Sequence, residues 1–338
     1  MGQVVQGNDR AMVSVGYFLS CEEHSPGELV EGAVLAEQAG FGSAWISDHF
    51  HPWNDEQGQS PFVWSVLGAV AAATRTLRVY TAVTCPTMRI HPAIVAQAAA
   101  TTQMLFGGRF GLGVGSGEAL NEHIYGDAWP SADMRLDMLD EAVEVMRKLW
   151  RGDNVSHSGR YYKLDNARLY SLPAEPIRIW VSAFGPKAVA RAARLADGGY
   201  MSVMPSKDLL DRYRSEDGRG TAQGGVKVCY APTVEEGRRT AHRLWPNEGL
   251  PGELSQVLPT PRHFMQASQL VTQDMIAESV PCGPDPEPHI EAIRKYEQAG
   301  FDEVYVGQIG PDQKGMVEFY ASEVLPHFAG DRAGDRGS

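Results

Sequence analysis

A cluster of titratable and aromatic side chains follows a short apolar segment near residue 45. Residues 44–46 (Ala-Trp-Ile) are typical of a buried strand, and the next residues supply Asp48, His49, His51 and Trp53. A strand fixes the groups at its tip, and neighbouring tryptophans exclude water, which perturbs the pKa values of acids and histidines. The cluster predicts a proton-transfer site. Loop packing of Trp53 and a structural, hydrogen-bonded role for His49 are the alternatives.

His49 and His51 also form the His-x-His pair of metal-dependent hydrolases built on parallel barrels. Such a site needs further ligands from later strands. The predicted fifth strand ends at Ser182 and the eighth at Gln308, and the sixth is rich in methionine. The metal site is therefore disfavoured, and no metal is expected.

A second candidate region begins with glycine at every second position from Gly111 to Gly117. This spacing lacks the two-residue gap of the dinucleotide-binding fingerprint Gly-x-Gly-x-x-Gly. A tight exit from a strand explains the glycines without any ligand. Glu118 and Asn121 nevertheless stand at this strand end, and a histidine, a glutamate and a tryptophan converging there would support proton transfer beside a redox cofactor.

Strands and helices alternate along most of the chain, which places it in the α/β class. The predicted strands are residues 12–19, 43–47, 77–84, 109–114, 177–182, 199–203, 227–231 and 302–308. Segments of helical periodicity separate most of them. Eight such units predict a closed (β/α)8 TIM barrel, in which all strand tips meet at one rim. The competing doubly wound sheet would require a glycine-rich phosphate turn after an early strand.

Two segments interrupt the alternation. Residues 153–172 carry tyrosines without a clear period, and residues 234–280 look helical but contain four dispersed prolines. We expect residues 13–328 to form a single barrel domain with insertions at these two places, after an N-terminal extension of residues 1–12. The polar residues 329–338 are predicted to be a disordered tail.

Charge and composition narrow the class of protein. The 338 residues carry a formal net charge of −12 and no basic patch, so nucleic acid and anionic membranes are disfavoured as partners. No apolar run approaches the length of a membrane span, and the N-terminus does not resemble a signal peptide. The four cysteines are widely spaced, which predicts a reduced, cytoplasmic protein.

Two motifs together are typical of one family. The first is Ser47-Asp-His-Phe50 followed by Pro52-Trp53, and the second is Gly113-Val-Gly-Ser-Gly-Glu-Ala-Leu-Asn-Glu122. Four shorter segments fit the same pattern: Thr84-Cys-Pro-Thr87, Leu149-Trp150, Gly159-Arg-Tyr-Tyr162 and Ala183-Phe-Gly-Pro186. From about residue 13 to 328 the chain resembles the luciferase-like oxidoreductases that use the deazaflavin coenzyme F420. Within them it is most similar to the F420-dependent glucose-6-phosphate dehydrogenase group.

The resemblance implies a luciferase-like barrel that binds coenzyme F420 in its mouth, and it implies three catalytic residues. His49 matches the base that takes the hydroxyl proton as hydride leaves carbon. Trp53 matches a tryptophan that packs on the reacting centre. Glu118 matches a glutamate placed to donate a proton to the ring.

The resemblance also implies where the cofactor lies. Asp48 and Asn121 match residues around the ring and the substrate, and the Ala82–Val83 link matches a non-proline cis peptide that backs the ring. The remaining cofactor-binding positions are Thr84, Cys85, Gly117, Ser182, Ala183, Phe184 and Gly185. Residues 183–185 begin the helix that matches the phosphate site, and a helix N-terminus offers free N–H groups to phosphate.

The chain departs from this group where the sugar phosphate binds. Lys207 matches one lysine of the phosphate clamp, whereas Ser255 and Ser279 stand near the positions of the second lysine and the arginine. Arg262 and His263 lie in the same insertion and are candidate substrate contacts; a solvated loop is the alternative. A phosphorylated sugar is therefore not the expected substrate.

The expected reaction is hydride transfer between the carbon of a secondary alcohol or sugar hydroxyl and the deazaflavin C5. One alternative is reduction of a C=C or C=O bond by reduced F420. Another is an FMN-dependent monooxygenase of the luciferase type, and a third is a non-catalytic barrel that only binds cofactor. The expected partners are a small-molecule substrate and a second copy of the chain in a homodimer.

Overall fold

Eight parallel strands close into a barrel in the computed structural model, which describes residues 12–329. The strands of this part of the chain are β1 (Ser14–Leu19), β2 (Ser43–Ile46), β3 (Arg78–Thr81), β4 (Phe110–Val114), β5 (Val155–Ser158), β6 (Lys163–Ala167), β7 (Ile179–Ser182), β8 (Gly199–Ser202), β9 (Thr221–Val228) and β10 (Glu303–Gln308). The order around the barrel is β1-β2-β3-β4-β7-β8-β9-β10, and β10 pairs with β1 to close it. The predicted (β/α)8 TIM barrel is confirmed.

Helices connect the strands and cover the barrel. They are α1 (Pro26–Gln38), α2 (Val63–Ala73), α3 (Pro92–Leu105), α4 (Ala119–Glu122), α5 (Ala132–Leu149), α6 (Pro186–Leu195), α7 (Lys207–Ser215), α8 (Val234–Leu244), α9 (Leu254–Val257), α10 (Pro261–Ala267), α11 (Gln273–Ala277), α12 (Pro286–Ala299) and α13 (Gln313–Phe319). Their starts follow local sequence rules. In α1, for example, the Ser25 hydroxyl accepts the Glu28 N–H, and the Glu28 carboxylate accepts the Ser25 N–H in return.

The inside of the barrel is aromatic, and glycine makes room for it. The interior cluster consists of Phe18, Trp45, Tyr80, Trp180, Met201 and Tyr305. A Cβ atom at Gly111 would overlap the Tyr80 ring, and one at Gly113 would overlap the Thr81 carbonyl oxygen. Packing inside the barrel therefore accounts for the first two glycines of the alternating run.

Strand β9 begins six residues earlier than the predicted strand 227–231 and ends three residues earlier. Two adjacent glycines, Gly224 and Gly225, make this strand difficult to predict from the sequence. Cβ atoms at these positions would overlap the rings of Tyr296 and Trp45, so the strand is glycine-rich because large rings press on both of its faces. Composition alone cannot reveal a strand defined by what packs against it.

The first interruption is a hairpin. Strands β5 and β6 pair antiparallel outside the barrel, within the segment 153–172. Glu141 of α5 fixes this hairpin, since its carboxylate accepts the backbone N–H groups of Arg160, Tyr161 and Tyr162. Burial raises the pKa of Glu141, but the hydrogen bonds from Tyr162, His157 and Tyr161 outweigh burial, and the pKa lies below its usual value.

The second interruption lies over the rim of the barrel. Trp245, Val271 and Ile276 form an apolar cluster with Ile309 beyond β10, and Trp53 packs against that cluster. The Leu244 carbonyl oxygen accepts hydrogen bonds from the side-chain amides of Asn54 and Gln57, at 2.8 and 2.9 Å. The segment from α8 to α11 is therefore attached to the loop that carries His49 and Trp53.

The last helical segment before the end of the described residues is not a regular α-helix throughout. Helix α13 passes into a π-helical turn at Tyr320–Val324 and a 3-10 turn at Leu325–Phe328. The predicted extension 1–12 and tail 329–338 lie outside the described residues, apart from Met12 and Ala329. Within residues 12–329, no helix is both long and apolar enough to cross a membrane.

Candidate active site

The loop after β2 places Asp48 in a buried ionic network. The Thr84 hydroxyl donates to Asp48 Oδ2 at 2.7 Å, and Arg89 Nη2 lies 2.8 Å from Asp48 Oδ1. The same arginine approaches Glu122 through Nε at 3.5 Å, and its backbone N–H donates to Glu122 Oε2 at 2.7 Å. This network joins the ends of β2, β3 and β4, which are neighbours in the barrel.

Two acceptors hold the His49 ring at the rim. Its Nδ1 lies 3.2 Å from the His51 carbonyl oxygen, and its Nε2 lies 3.4 Å from Glu22 Oε1. Both partners only accept hydrogen bonds, so each ring nitrogen has an acceptor for a hydrogen, and a protonated imidazolium would be held on both sides. The Trp53 ring centroid is 5.0 Å from that of His49. The structure therefore brings His49 and Trp53 together, as the sequence predicted.

Glu22 is a site residue that the sequence analysis missed. It follows β1, is buried, and accepts hydrogen bonds from the hydroxyls of Ser20 at 2.8 Å and Ser47 at 2.7 Å. Burial raises the pKa of Glu22, but His49, then Lys227, then the two serines outweigh burial and the pKa is lowered. The carboxylate is thus an anion beside the imidazole. Glu22 follows the end of a predicted strand, as Asp48 does, and this position could have identified it from the sequence.

The end of β3 supplies the other side of the rim. The Ala82–Val83 peptide bond is cis, as the resemblance implied. Gly115 lets this bend approach, since a Cβ atom there would lie 2.7 Å from Val83 Cγ2. Cys85 is buried, which raises the pKa of its thiol, and Gly117 packs on it with a positive φ of 80°. These residues form a wall of backbone with few exposed side chains.

Glu118 and Asn121 stand where β4 leads into α4. Glu118 precedes the first turn of the helix and is half-buried. Asn121 joins the two sequence motifs, because its Oδ1 accepts the N–H groups of Phe50 at 2.9 Å and His51 at 3.2 Å. Its Nδ2 is buried and has no hydrogen-bond partner among the residues described. Glu122, which the sequence analysis also left without a role, has its pKa raised to about 7 by burial.

The inserted segment adds an aromatic wall. The Phe264 ring of α10 meets the Trp53 ring edge to face, with centroids 5.1 Å apart. Phe264 is buried, whereas its neighbours Arg262 and His263 are exposed. The structure therefore places Phe264, rather than the predicted Arg262 and His263, against the cluster of His49 and Trp53.

Lys207 also stays apart from that cluster. It is exposed at the start of α7 and pairs with Asp211 one turn later. None of the contacts within residues 12–329 joins Lys207 to His49, Trp53 or Glu118. The predicted substrate contacts at 207, 262 and 263 therefore remain predictions without support from the arrangement of side chains.

A helix N-terminus lies at the tip of β7. Gly185 caps α6 without a side-chain hydrogen bond, and Pro186 occupies its first turn. A Cβ atom at Gly185 would meet nothing within 4 Å, so the space in front of this N-terminus is open. Ser182 and Ala183 lead into it, and Phe184 is 40% exposed beside it. An anion can reach these N–H groups.

The two histidines of the His-x-His pair have separate environments. His51 Nδ1 lies 2.9 Å from the Leu120 carbonyl oxygen, and the ring stacks on His123. In the part of the chain from Met12 to Ala329, no three His, Cys, Asp or Glu side chains are grouped as metal ligands.

Comparison with known proteins agrees with this architecture. Residues 10–303 match the luciferase-like monooxygenase family. The F420-dependent glucose-6-phosphate dehydrogenase of Segniliparus rotundus is 36% identical over 329 residues, covering 94% of this chain and 98% of the relative. The enzyme of the same name from Nakamurella multipartita is 34% identical, covering 94% and 96%.

A solved structure is similar as well. An F420-dependent secondary alcohol dehydrogenase in complex with an F420–acetone adduct superposes with a TM-score of 0.87. It is 31% identical and covers 94% of this chain and 100% of its own. The family match spans most of the chain, and the relatives exceed 30% identity over nearly their whole length. The chain therefore belongs to the luciferase-like family, in its branch of F420-dependent dehydrogenases.

Proposed function

We propose that this protein is an F420-dependent oxidoreductase acting on an unphosphorylated secondary alcohol or sugar hydroxyl. The observation that carries the substrate class is the wall beside His49, where the Trp53 and Phe264 rings lie 5.1 Å apart. Glu22 adds negative charge to the same rim. An aromatic, acidic mouth favours an uncharged alcohol over a phosphate ester, which needs converging cations.

The residues at the rim fit a deazaflavin with a phosphate-bearing tail. The unpartnered Nδ2 of Asn121 is a buried donor suited to a ring carbonyl. The open N-terminus of α6 at Gly185 is suited to the phosphate. Asp48, Thr84 and the Ala82–Val83 bend would line the ring. When bound, the deazaflavin supplies a hydride acceptor at C5.

The residues of this chain handle the proton of the alcohol. With the Nδ1 hydrogen on the His51 carbonyl oxygen, His49 accepts the hydroxyl proton at Nε2 while hydride leaves carbon. Glu22 then stabilises the imidazolium at 3.4 Å, and the His51 carbonyl oxygen fixes the ring orientation. Trp53 limits the water around this proton. Glu118, at the end of β4, is the residue that donates a proton to the deazaflavin ring in this proposal.

Turnover with three substrates tests the proposal. We expect F420 reduction with a short secondary alcohol or with glucose, and a lower kcat/KM for glucose 6-phosphate. Running the same couple with reduced F420 and a ketone gives kcat/KM for the reverse reaction, which compares the enzyme as a reductase with the enzyme as a dehydrogenase. A large preference for glucose 6-phosphate would show that Lys207 and the inserted segment rebuild a phosphate site.

We further infer that the protein is a cytoplasmic homodimer with one barrel domain over residues 13–328. Helix α3 supports self-association, since it leaves Ile94, Met104 and Leu105 about half exposed, at 54%, 49% and 56%. The four free cysteines are consistent with a reducing compartment. Light scattering after size-exclusion chromatography measures the oligomeric state, and a monomer at micromolar concentration would contradict the dimer.

A further inference from the structure

A buried arginine between β3 and α3 holds two acids that belong to different segments of the rim. The side chain of Arg89 is 5% exposed, and those of Asp48 and Glu122 are each 1% exposed. Arg89 Nη2 lies 2.8 Å from Asp48 Oδ1, and Arg89 Nε lies 3.5 Å from Glu122 Oε1. The backbone N–H of Arg89 also donates to Glu122 Oε2 at 2.7 Å. One residue therefore bridges the loop after β2 and helix α4 through direct contacts.

Each side of this bridge continues to a candidate catalytic residue. Arg89 Nη2 lies 3.3 Å from the Asp48 carbonyl oxygen, which belongs to the peptide bond that joins Asp48 to His49. On the other side, the Glu122 N–H donates to the Glu118 carbonyl oxygen at 3.2 Å. Arg89 is therefore connected to the main chain of both His49 and Glu118 by hydrogen bonds and short covalent links.

We propose that Arg89 is a positioning residue that fixes the candidate base, His49, relative to the candidate proton donor, Glu118. This inference rests on the proposed function. A guanidinium group suits this role because its planar fork reaches several acceptors at once, whereas a lysine ammonium is a single point charge. Stability alone does not explain a guanidinium between two buried acids, since apolar residues of similar volume are often equally stabilising.

A second link between the same two segments makes their attachment measurable. Asn121 Oδ1 of α4 accepts the N–H groups of Phe50 at 2.9 Å and His51 at 3.2 Å. These two amides exchange with solvent when the loop after β2 separates from α4, so their exchange rates report how firmly the loop is attached. The measurement uses the free protein and needs no cofactor.

Two substitutions interrupt the bridge at different points. Arg89→Lys keeps the positive charge but removes the fork that holds both acids, and Glu122→Gln keeps the size of the side chain but removes its charge. We expect each substitution to lower kcat at saturating F420 by at least about tenfold, because a misplacement of about 1 Å can cost about 10²-fold in rate. The KM for the alcohol should change less than about threefold.

A double variant distinguishes one bridge from two separate effects. Arg89→Lys combined with Glu122→Gln should be no slower than Arg89→Lys alone, because both changes interrupt the same connection. Losses that multiply in the double variant would overturn the inference. Arg191→Lys is the matched control, since Arg191 also pairs with two acids, Asp137 at 2.7 Å and Asp140, but joins the outer helices α5 and α6. This control should keep the wild-type kcat.

Amide exchange in the free protein gives the independent readout. We expect the N–H groups of Phe50 and His51 to exchange about tenfold faster in both single variants and at the wild-type rate in the control. Val304, buried in β10, is the internal reference, because a general loss of stability would accelerate its exchange as well. Unchanged exchange at Phe50 and His51, or equal acceleration at Val304, would overturn the inference. If the wild-type protein fails to oxidise alcohols with F420, the proposed function fails, while exchange still decides whether Arg89 joins the loop to α4.

Discussion

At the scale of single residues, the candidate base depends on contacts from two segments, the loops that follow β1 and β2. His49 is oriented by the His51 carbonyl oxygen and by Glu22, which two serine hydroxyls hold in turn. A base oriented in this way exchanges one proton without moving its ring, because each nitrogen already faces an acceptor. Loss of the base or of the proton donor should therefore affect chemistry more than binding.

We expect His49→Ala and Glu118→Gln each to slow hydride transfer by about 10²–10⁴-fold, the usual cost of losing a general acid or base. F420 affinity should change little, because neither side chain is needed to hold the phosphate or the ring. Single-turnover absorbance of the deazaflavin measures the step directly. Near-wild-type rates in both variants, with an authentic substrate, would remove these residues from the mechanism.

The residues identified from sequence and those overlooked differ in a physical way. His49, Trp53, Glu118 and Asn121 lie in two motifs at strand tips, where local sequence suffices to suspect them. Glu22, Arg89 and Glu122 pair with residues far away in the chain, as in Glu22–His49 and Arg89–Asp48. Their importance depends on which strands become neighbours. Only a three-dimensional structure supplies that information.

At the scale of secondary-structure elements, the inserted segment and the loop that carries His49 and Trp53 form one packed unit. Asn54 and Gln57 bind the end of α8 through the Leu244 carbonyl oxygen, and Phe264 of α10 packs on Trp53. The insertion therefore determines the shape of the space beside His49. Substrate selectivity should depend on it more than F420 affinity does.

The substitution Phe264→Leu tests whether the insertion affects substrate binding more than F420 binding. Removing the edge-to-face contact with Trp53 costs about 0.5–1.5 kcal/mol, so we expect a rise of about 3–10-fold in KM for the alcohol. The expected changes in F420 affinity and in kcat are small. Met265→Leu, at the neighbouring exposed position, is the control and should behave like the wild-type protein. Equal kinetics in Phe264→Leu and Met265→Leu would show that α10 does not shape the substrate site.

Most barrel elements were predictable because their periodicity is local. Strands β1, β2, β4, β7, β8 and β10 lie within a few residues of their predicted positions. The prediction misplaced strand β9 because its glycines are explained only by distant residues. The rings of Tyr296 and Trp45 leave no room for side chains at positions 224 and 225. The hairpin at 155–167 was missed because Glu141 of α5, rather than an alternating pattern, anchors it.

At the scale of the whole molecule, a buried histidine links the end of the insertion to the C-terminal helices. His289 is fully buried, with Nδ1 3.0 Å from the Tyr320 hydroxyl and Nε2 3.1 Å from the Gly283 carbonyl oxygen. Burial lowers the pKa of His289 to about 4. His289 therefore binds a proton near pH 6.5 in the unfolded chain but only near pH 4 in the folded protein. The free energy of unfolding falls as the pH decreases from about 6.5 toward 4.

Urea unfolding at pH 7.5 and pH 5.0 measures this contribution. From pH 7.5 to pH 5.0, we expect the free energy of unfolding of the wild-type protein to fall by about 1–2 kcal/mol more than that of His289→Gln. His327→Gln, at an exposed histidine, should retain the wild-type pH dependence. Identical pH dependence in the wild-type protein and His289→Gln would show that His289 does not couple folding to protons.

The central claim is that the rim formed by β2, β3, β4 and β7 binds coenzyme F420 for hydride transfer. Tryptophan fluorescence titration with F420 and FMN in parallel tests it most directly, because Trp53 and Trp245 lie at this rim. We predict a Kd for F420 of about 1 µM or lower, corresponding to about −8 kcal/mol, and much weaker binding of FMN. Tight binding of FMN with no response to F420 would contradict the account and favour a luciferase-type monooxygenase.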